Sequence, residues 1–377
     1  MDKTDHERSA AMLDRRTLLF AAAMTPLAAG DLGLAAASPK ADAIVDAVRR
    51  QFGLTGMAAA VLRRGKLVMG VGGRRRADRG DRVQRHTRFM IGSCAKAMTA
   101  TLLMRLDEQG RLDLDTPLER IWPELCHRMR PAYRKVTLAM LLAHRSGLPE
   151  SVPDAWLPDI LGRPGTPRQV RAHFLPLLLQ LEPVGRPGRD FAYSNLGYIV
   201  AAAALERRLN ASWDDTIEQQ LFQPLGMDSA GFGTPTGPLA AWGHDVLGQP
   251  VRPSSPRQLP PVLAPAGVVH LDLPDWARFA WLHLGKGPPG YLSANGLARL
   301  HRPWPGSGER YALGWGVIGD DPPILTHNGS DDRFWSASIL LAPVQQYGLL
   351  ITTNHAGQKA NAAVEAATRA LITAFPA

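Results

Sequence analysis

Strand-patterned segments stand at both ends of this 377-residue chain, and helix-patterned segments fill its middle. Near the start, Met57 to Leu62 and Lys66 to Val71 are two apolar runs joined through Arg64-Gly65, a hairpin signal. Near the end come Ile324 to His327, Ser336 to Leu341 and Tyr347 to Thr353, short and rich in Leu, Ile, Ser and Thr. Ala342-Pro343 and Gln345-Gln346 mark a turn between the last two. Between these ends, Met98, Leu102 and Leu106 repeat at helical spacing up to Gly110, which reads as a C′ glycine. Ile199 to Leu209 is another helical segment, and Ala41–Phe52 and Lys359–Phe375 read as helices beside the strands. On the last of these, Val364, Leu371 and Phe375 share one face. Pro/Gly-rich stretches at 161–167, 183–188 and 249–266 read as loops. Strands so far apart in sequence share a sheet only if the chain ends meet. The expectation is an α+β fold. One antiparallel sheet comes from about 41–90 and 310–377, with flanking helices, and a mostly helical lobe comes from about 91–309.

Composition supports a large core. Apolar residues make up 45% and charged residues 20%, which excludes long disorder. Cys94 and Cys126 are too few for a disulfide framework or a Cys-rich zinc site. The excess of 43 basic over 34 acidic residues, +9, is spread thinly. Its densest run, Arg74-Arg75-Arg76 with Arg79 and Arg82, is interrupted by Asp78 and Asp81 and reads as a solvated loop. A nucleic-acid surface would present an uninterrupted stripe with aromatics beside it.

The first 37 residues read as an address. Arg15-Arg16, a short apolar middle, and Ala35-Ala36-Ala37 before Ser38-Pro39 form a secretory signal of twin-arginine-like type. The apolar run is broken by Thr25, Pro26, Gly30 and Asp31, so no stable membrane span is expected after cleavage. Residues 38–377 are then one mature domain, periplasmic or secreted.

Three short elements carry chemistry. The first is Ser93-Cys94-Ala95-Lys96 at the start of an amphipathic helix. Residues i and i+3 share a helix face, so the Lys96 amine can reach the Ser93 hydroxyl. A serine becomes a nucleophile when a base takes its proton, and a lysine serves as that base when burial lowers its pKa. The second is Tyr193-Ser194-Asn195 after the loop Gly188-Arg189-Asp190. A phenol can shuttle protons and an amide can both donate and accept, although a loop anchor and a helix cap would look the same. The third is Thr326-His327-Asn328-Gly329-Ser330, ending a strand. Gly329 lets a substrate backbone approach, and the N–H groups of Ser93 and Ser330 can frame an oxyanion. His327 has two readings, a partner of the tyrosine or of a substrate carboxylate, and a turn histidine.

In this order the three elements resemble the serine β-lactamase and penicillin-binding-protein superfamily, in its class C β-lactamase-like branch with DD-carboxypeptidases, family VIII esterases and D-aminopeptidases. Further motifs are similar to that branch: Leu141-Leu142-Ala143-His144-Arg145-Ser146-Gly147-Leu148-Pro149, Pro224-Leu225-Gly226-Met227, Pro265-Ala266-Gly267 and Leu313-Gly314-Trp315-Gly316. The resemblance covers residues 42–375 and implies a β-lactamase/transpeptidase-like fold. It also implies an exported serine hydrolase with Ser93 as nucleophile, Lys96 as base and Tyr193 as proton relay. Asn195 and His327 would support that network, and Asn328-Gly329 would form the substrate strand. The expected substrate is a short-chain ester, a D-amino-acid peptide of the cell wall or a β-lactam-like amide. The alternative is a non-catalytic sensor or cell-wall scaffold on the same fold.

Two departures bear on substrate. His327 stands where many β-lactamases carry a lysine, which weakens recognition of a carboxylate and favours esters or amides. After Gly329 the usual Gly-rich segment is replaced by Ser330-Asp331-Asp332-Arg333-Phe334-Trp335, where Asp331 or Asp332 could hold a substrate amine or Arg333 or simply shape the turn. His144 reads as a structural histidine and Cys94 as core packing. No G-x-S-x-G, H-E-x-x-H or C-x-x-C is present, so neither an α/β-hydrolase elbow nor a metal is implied, and acyl transfer needs no cofactor.

Overall fold

Both chain ends do build one sheet. The structure, a computed structural model, describes residues 33–255, 258–306, 309–331 and 333–377; residues 1–32 of the expected leader and Asp332 lie outside them. The main sheet has seven strands: β1 (Gly33–Ala37), β2 (Gly56–Arg63), β3 (Lys66–Gly73), β7 (Gly316–Ile318), β8 (Ile324–Ser330), β9 (Ser336–Ala342) and β10 (Tyr347–Thr353). A small second sheet holds the others, β4 (Phe89–Met90), β5 (Gly231–Phe232) and β6 (Val269–Leu271). The large sheet runs β1-β3-β2-β10-β9-β8-β7. Its pairings are antiparallel except β1 with β3. β1 comes from residues that the sequence assigns to the end of the leader. Arg64 (φ 49°) and Gly65 (φ 76°) both take the left-handed conformation that a two-residue hairpin demands.

The apolar run of β2 is continuous because both faces of the sheet are covered. Met57, Ala59 and Val61 pack against α1 (Pro39–Gln51) and α6 (Gln358–Ala374), through Val45, Ala363, Ala367 and Leu371. Ala58, Ala60 and Leu62 face the other way, into the core of the helical lobe. That core is built around α2 (Ala95–Glu108), α3 (Pro167–Leu178), α4 (Asn195–Leu209) and α5 (Leu273–Trp281). Gly110 has φ +66° just beyond α2, as its C′ role requires. One expected loop is partly ordered instead. Within 249–266, Pro261–Leu263 forms a 3₁₀ turn and Ala264–Gly267 a helical turn, since Pro261 and Pro265 suit first-turn positions. No helix among the described residues is long and apolar enough to cross a membrane.

Candidate active site

Ser93 is delivered by a sharp bend between the small sheet and α2. β4 ends at Met90, and Gly92 takes φ +52° before a 3₁₀ turn, Gly92–Cys94, leads into the helix. A side chain at Gly92 would meet the backbone of β8, with its Cβ 2.5 Å from Ser330 N and 2.7 Å from Gly329 C. Bare backbone therefore lets the serine loop lie against that strand. One turn on, Lys96 is fully buried, with Nζ 2.9 Å from Ser93 Oγ, 2.7 Å from Asn195 Oδ1 and 2.6 Å from the Ala266 carbonyl. Burial brings its pKa down from 10.5 to about 7, against opposing pulls from the Cys94 sulfur and the Glu150 carboxylate. Cys94 stays a thiol, because its own burial pushes its pKa far up, so Glu150 is the counter-charge that matters at neutral pH.

Lys96 Nζ is placed to donate to all three partners as an ammonium, and the same partners also suit its neutral form. An uncharged amine has two hydrogens and one lone pair. Asn195 Oδ1 and the Ala266 carbonyl are pure acceptors and can take both hydrogens. The lone pair then faces the Ser93 hydroxyl, which has a proton to give.

Tyr193 donates to Ser93 Oγ from the other side at 2.8 Å. Its place is fixed by His144, itself at φ +57°. The His144 carbonyl accepts from Ala192 N at 2.9 Å and its Nδ1 accepts from Ser194 N at 3.0 Å, so it grips the chain on both sides of the tyrosine. The two rings lie 4.3 Å apart between centroids. Ser194, not Asn195, caps α4, its hydroxyl accepting from Gly197 N at 3.0 Å. That division frees the Asn195 side chain for Lys96.

Strand β8 closes the third side. The Cβ of an alanine at Gly329 would lie 1.9 Å from the Ile91 carbonyl oxygen and 3.0 Å from Ser93 N. The amide nitrogens of Ser93 and Ser330 thus lie at the close contact between the serine loop and β8. Asn328 points outward and is exposed, and its carbonyl accepts from His327 Nδ1 at 2.7 Å. His327 points inward, and its Nε2 is paired 2.8 Å from the hydroxyl of Tyr311, a tyrosine other than Tyr193. Burial, then the nearby charge of Lys96, pushes its pKa down to about 3. Asp331 is buried. Its Oδ1 accepts from the backbone N–H of Arg333, Phe334 and Trp335 at 3.1, 2.7 and 2.9 Å, tying the turn that follows β8.

Sequence reasoning did not reach Ala266, Glu150 or Tyr311 as site residues. Ala266 lies within Pro265-Ala266-Gly267 and Tyr311 just before Leu313-Gly314-Trp315-Gly316, but a carbonyl contact and a buried hydroxyl leave no mark in sequence. Glu150 is one residue past Leu148-Pro149, and its backbone carbonyl accepts from Asn195 N at 3.0 Å.

The profile of the Beta-lactamase family matches residues 41–374. Among curated proteins, the chain is 29% identical over 286 residues to Penicillin-binding protein 4 of Amycolatopsis lactamdurans, covering 72% of each. It is 23% identical over 326 residues to protein flp of Staphylococcus aureus strain N315, covering 83% of this chain but only 62% of that protein. Among solved structures, a class C β-lactamase from Rhodobacter sphaeroides superposes with a TM-score of 0.73 at 23% identity, over 90% of this chain and 100% of that one. A D-alanine carboxypeptidase AmpC from Burkholderia cenocepacia gives 0.72 at 21% identity, over 89% and 98%. The solved structures share the fold, a sheet from both chain ends beside a helical lobe.

Proposed function

We propose that this chain, which belongs to the Beta-lactamase family, is an exported serine hydrolase that acts through an acyl-enzyme on esters or amides lacking a recognition carboxylate. The observation that carries the reading is the fully buried Lys96 amine, close to neutral at physiological pH, 2.9 Å from the Ser93 hydroxyl. A buried lysine with no task would be costly.

The steps follow from the contacts. Neutral Lys96 takes the Ser93 proton as Oγ attacks the substrate carbonyl. The resulting oxyanion lies between the amides of Ser93 and Ser330. As the tetrahedral intermediate collapses, the C–O or C–N bond breaks and the leaving group takes a proton from the Tyr193 hydroxyl, which Lys96 replenishes. The Lys96 ammonium lies 4.9 Å from the Tyr193 ring centre, so its charge favours the transient phenolate. Water then attacks the acyl-enzyme, gives its proton back through Tyr193 or Lys96, and Ser93 is released.

Substrate class follows from His327. Held neutral between Tyr311 and the Asn328 carbonyl, it offers no permanent cation for a β-lactam carboxylate. Short-chain ester hydrolysis should exceed β-lactam turnover by a wide margin. The test is a fluorophosphonate probe on wild type and Ser93→Ala, followed by a screen over p-nitrophenyl esters, nitrocefin and D-amino-acid peptides. Labelling that survives Ser93→Ala would refute the assigned nucleophile. Nitrocefin turnover matching the esters at neutral pH would refute the substrate class. No labelling and no turnover would mark a non-catalytic binder.

A further inference from the structure

Away from the catalytic residues, two large aliphatic side chains project into solvent at one turn. Val246 is 92% exposed and Leu247 81%, while the next most exposed large hydrophobic among the described residues, Val184, is 61%. The turn itself is well tied. Gly248 N donates to the Asp245 carbonyl at 2.8 Å, and Asp245 Oδ1 accepts from the N–H of Leu247 and Gln249, each at 3.1 Å. Central turn positions ordinarily favour Gly, Pro, Asn or Asp. A Val-Leu pair there gains nothing from folding and loses solubility.

The turn stands beside the arginine-rich loop that follows β3. Trp242 N donates to the Arg75 carbonyl at 3.0 Å, and buried His244 accepts from Ala77 N at 3.0 Å. The acidic residues of that loop are engaged, Asp78 with Arg76 at 2.6 Å and Asp81 with Arg75 at 3.8 Å. Arg74, Arg79 and Arg82 are exposed and enter no ion pair among the described residues. An aliphatic tip next to such cations is complementary to an anionic lipid surface. The tip inserts among acyl-chain ends and the arginines meet phosphates. A protein partner fits less well, because two side chains on a narrow turn fall far below the ~800 Å² per partner of a stable interface.

This surface lies at the end of the sheet where the catalytic strand also ends. Thr353 pairs with Ser336, which pairs with Ser330, so the exits of β10 and β8 are level. His244 N donates to the Asn354 carbonyl at 3.0 Å, just past β10. Gly243 packs so closely on Phe334 and Trp335, just past β8, that a Cβ would lie 2.4 Å from Phe334 Cβ. We propose that the Val246-Leu247 tip, with Arg74, Arg79 and Arg82, docks the protein on an anionic membrane surface and so holds the catalytic end of the sheet beside it.

The test is co-sedimentation of the full chain with vesicles of phosphatidylcholine alone or mixed with phosphatidylglycerol. Wild type should prefer the anionic vesicles. V246D/L247D should weaken partition at least ~10-fold, and R74E/R79E/R82E at least ~100-fold. Hydrolysis of a soluble ester should stay at wild-type level in both, showing that the variants fold. A dye on Leu247→Cys, with labelled wild type as control for Cys94 and Cys126, should shift to the blue on anionic vesicles. Binding equal to wild type in both variants, indifference to lipid charge, or an unshifted dye would overturn the proposal. So would self-association lost in V246D/L247D without any vesicle binding, which would assign the tip to a second copy of the chain.

Discussion

Replacing Lys96 with methionine isolates the free energy stored in its burial. The lysine sits at about 7 in the folded protein against an ordinary 10.5. At about 1.4 kcal/mol per pKa unit, the folded state disfavours the ammonium by roughly 5 kcal/mol. The same gap sets the catalytic benefit: an exposed lysine is neutral in fewer than about one molecule in a thousand at pH 7, this one in about half. Below pH 7 the lysine is charged in both folded and unfolded chains, and the full penalty is felt. Between 7 and 10.5 the unfolded chain binds the proton and the folded chain does not, so stability rises with pH through that window. Lys96→Met has no such term. Its orphaned Asn195 and Ala266 acceptors cost a constant amount, about 1–3 kcal/mol each. The stability difference between the variant and wild type should therefore move toward wild type by up to roughly 5 kcal/mol between pH 6 and pH 10.5. Urea unfolding of both proteins across that range measures it, and titrations common to both cancel. A difference that stays flat with pH would refute a lowered lysine. The same lysine predicts that wild-type kcat/KM on a neutral ester rises with pH to a plateau, with its half-point near 7.

Three further substitutions test other parts of the site. Gly329→Ala would drive a Cβ to 1.9 Å from the Ile91 oxygen, forcing β8 off the serine loop. It should cost about 1–3 kcal/mol in Tm-derived stability and at least ~100-fold in kcat. Tyr193→Phe should slow the reaction ~10²–10⁴-fold and, by mass spectrometry, let acyl-enzyme accumulate if deacylation suffers more. Added to Lys96→Ala it should do little further harm, because the two act as one unit; losses that multiply fully would count against the shared network. Tyr311→Phe removes the hydroxyl that pairs with His327 Nε2 and should lower stability by about 1–3 kcal/mol in urea unfolding, a loss that a merely space-filling tyrosine would not produce.

The sheet was legible because its strands carry their own signals. Arg64-Gly65 supplies the left-handed hairpin residues, and the unbroken apolar run of β2 reports a strand buried on both faces. Ser93, Lys96, Tyr193 and Asn195 were legible as a set, and the structure joins them in one chain of hydrogen bonds, Tyr193 to Ser93, Ser93 to Lys96 and Lys96 to Asn195. What sequence could not convey was long-range choice. His327 could have turned to Tyr193 or to Tyr311, and only the packing of a loop 16 residues upstream selects Tyr311. Asp331 read either as an amine site or as a turn residue, and only the three backbone N–H groups that its Oδ1 accepts favour the turn. The Ala266 carbonyl was hidden because residues 249–266 look like plain Pro/Gly-rich loop, and a backbone oxygen has no residue type.

The crowding of bases around Ser93 bears on which of them can serve the proposed reaction. His144, His327 and Lys96 are all buried there, and charge on Lys96 lowers both histidines further. If more than one carried a proton, like charges would face each other in a buried, weakly screened setting. The fold settles this by giving each imidazole an acceptor task. His144 Nδ1 accepts the Ser194 amide, and His327, donating through Nδ1 to Asn328, must accept from Tyr311 at Nε2. Burial, then charge on Lys96, keeps both neutral well below pH 6.5, and the lone pairs they use as acceptors are the ones a proton would need. Lys96 has no such donor facing it except the serine it is meant to deprotonate. It is left as a buried base that changes charge near neutrality, so the pH limb of the proposed reaction is expected from Lys96 rather than from either histidine.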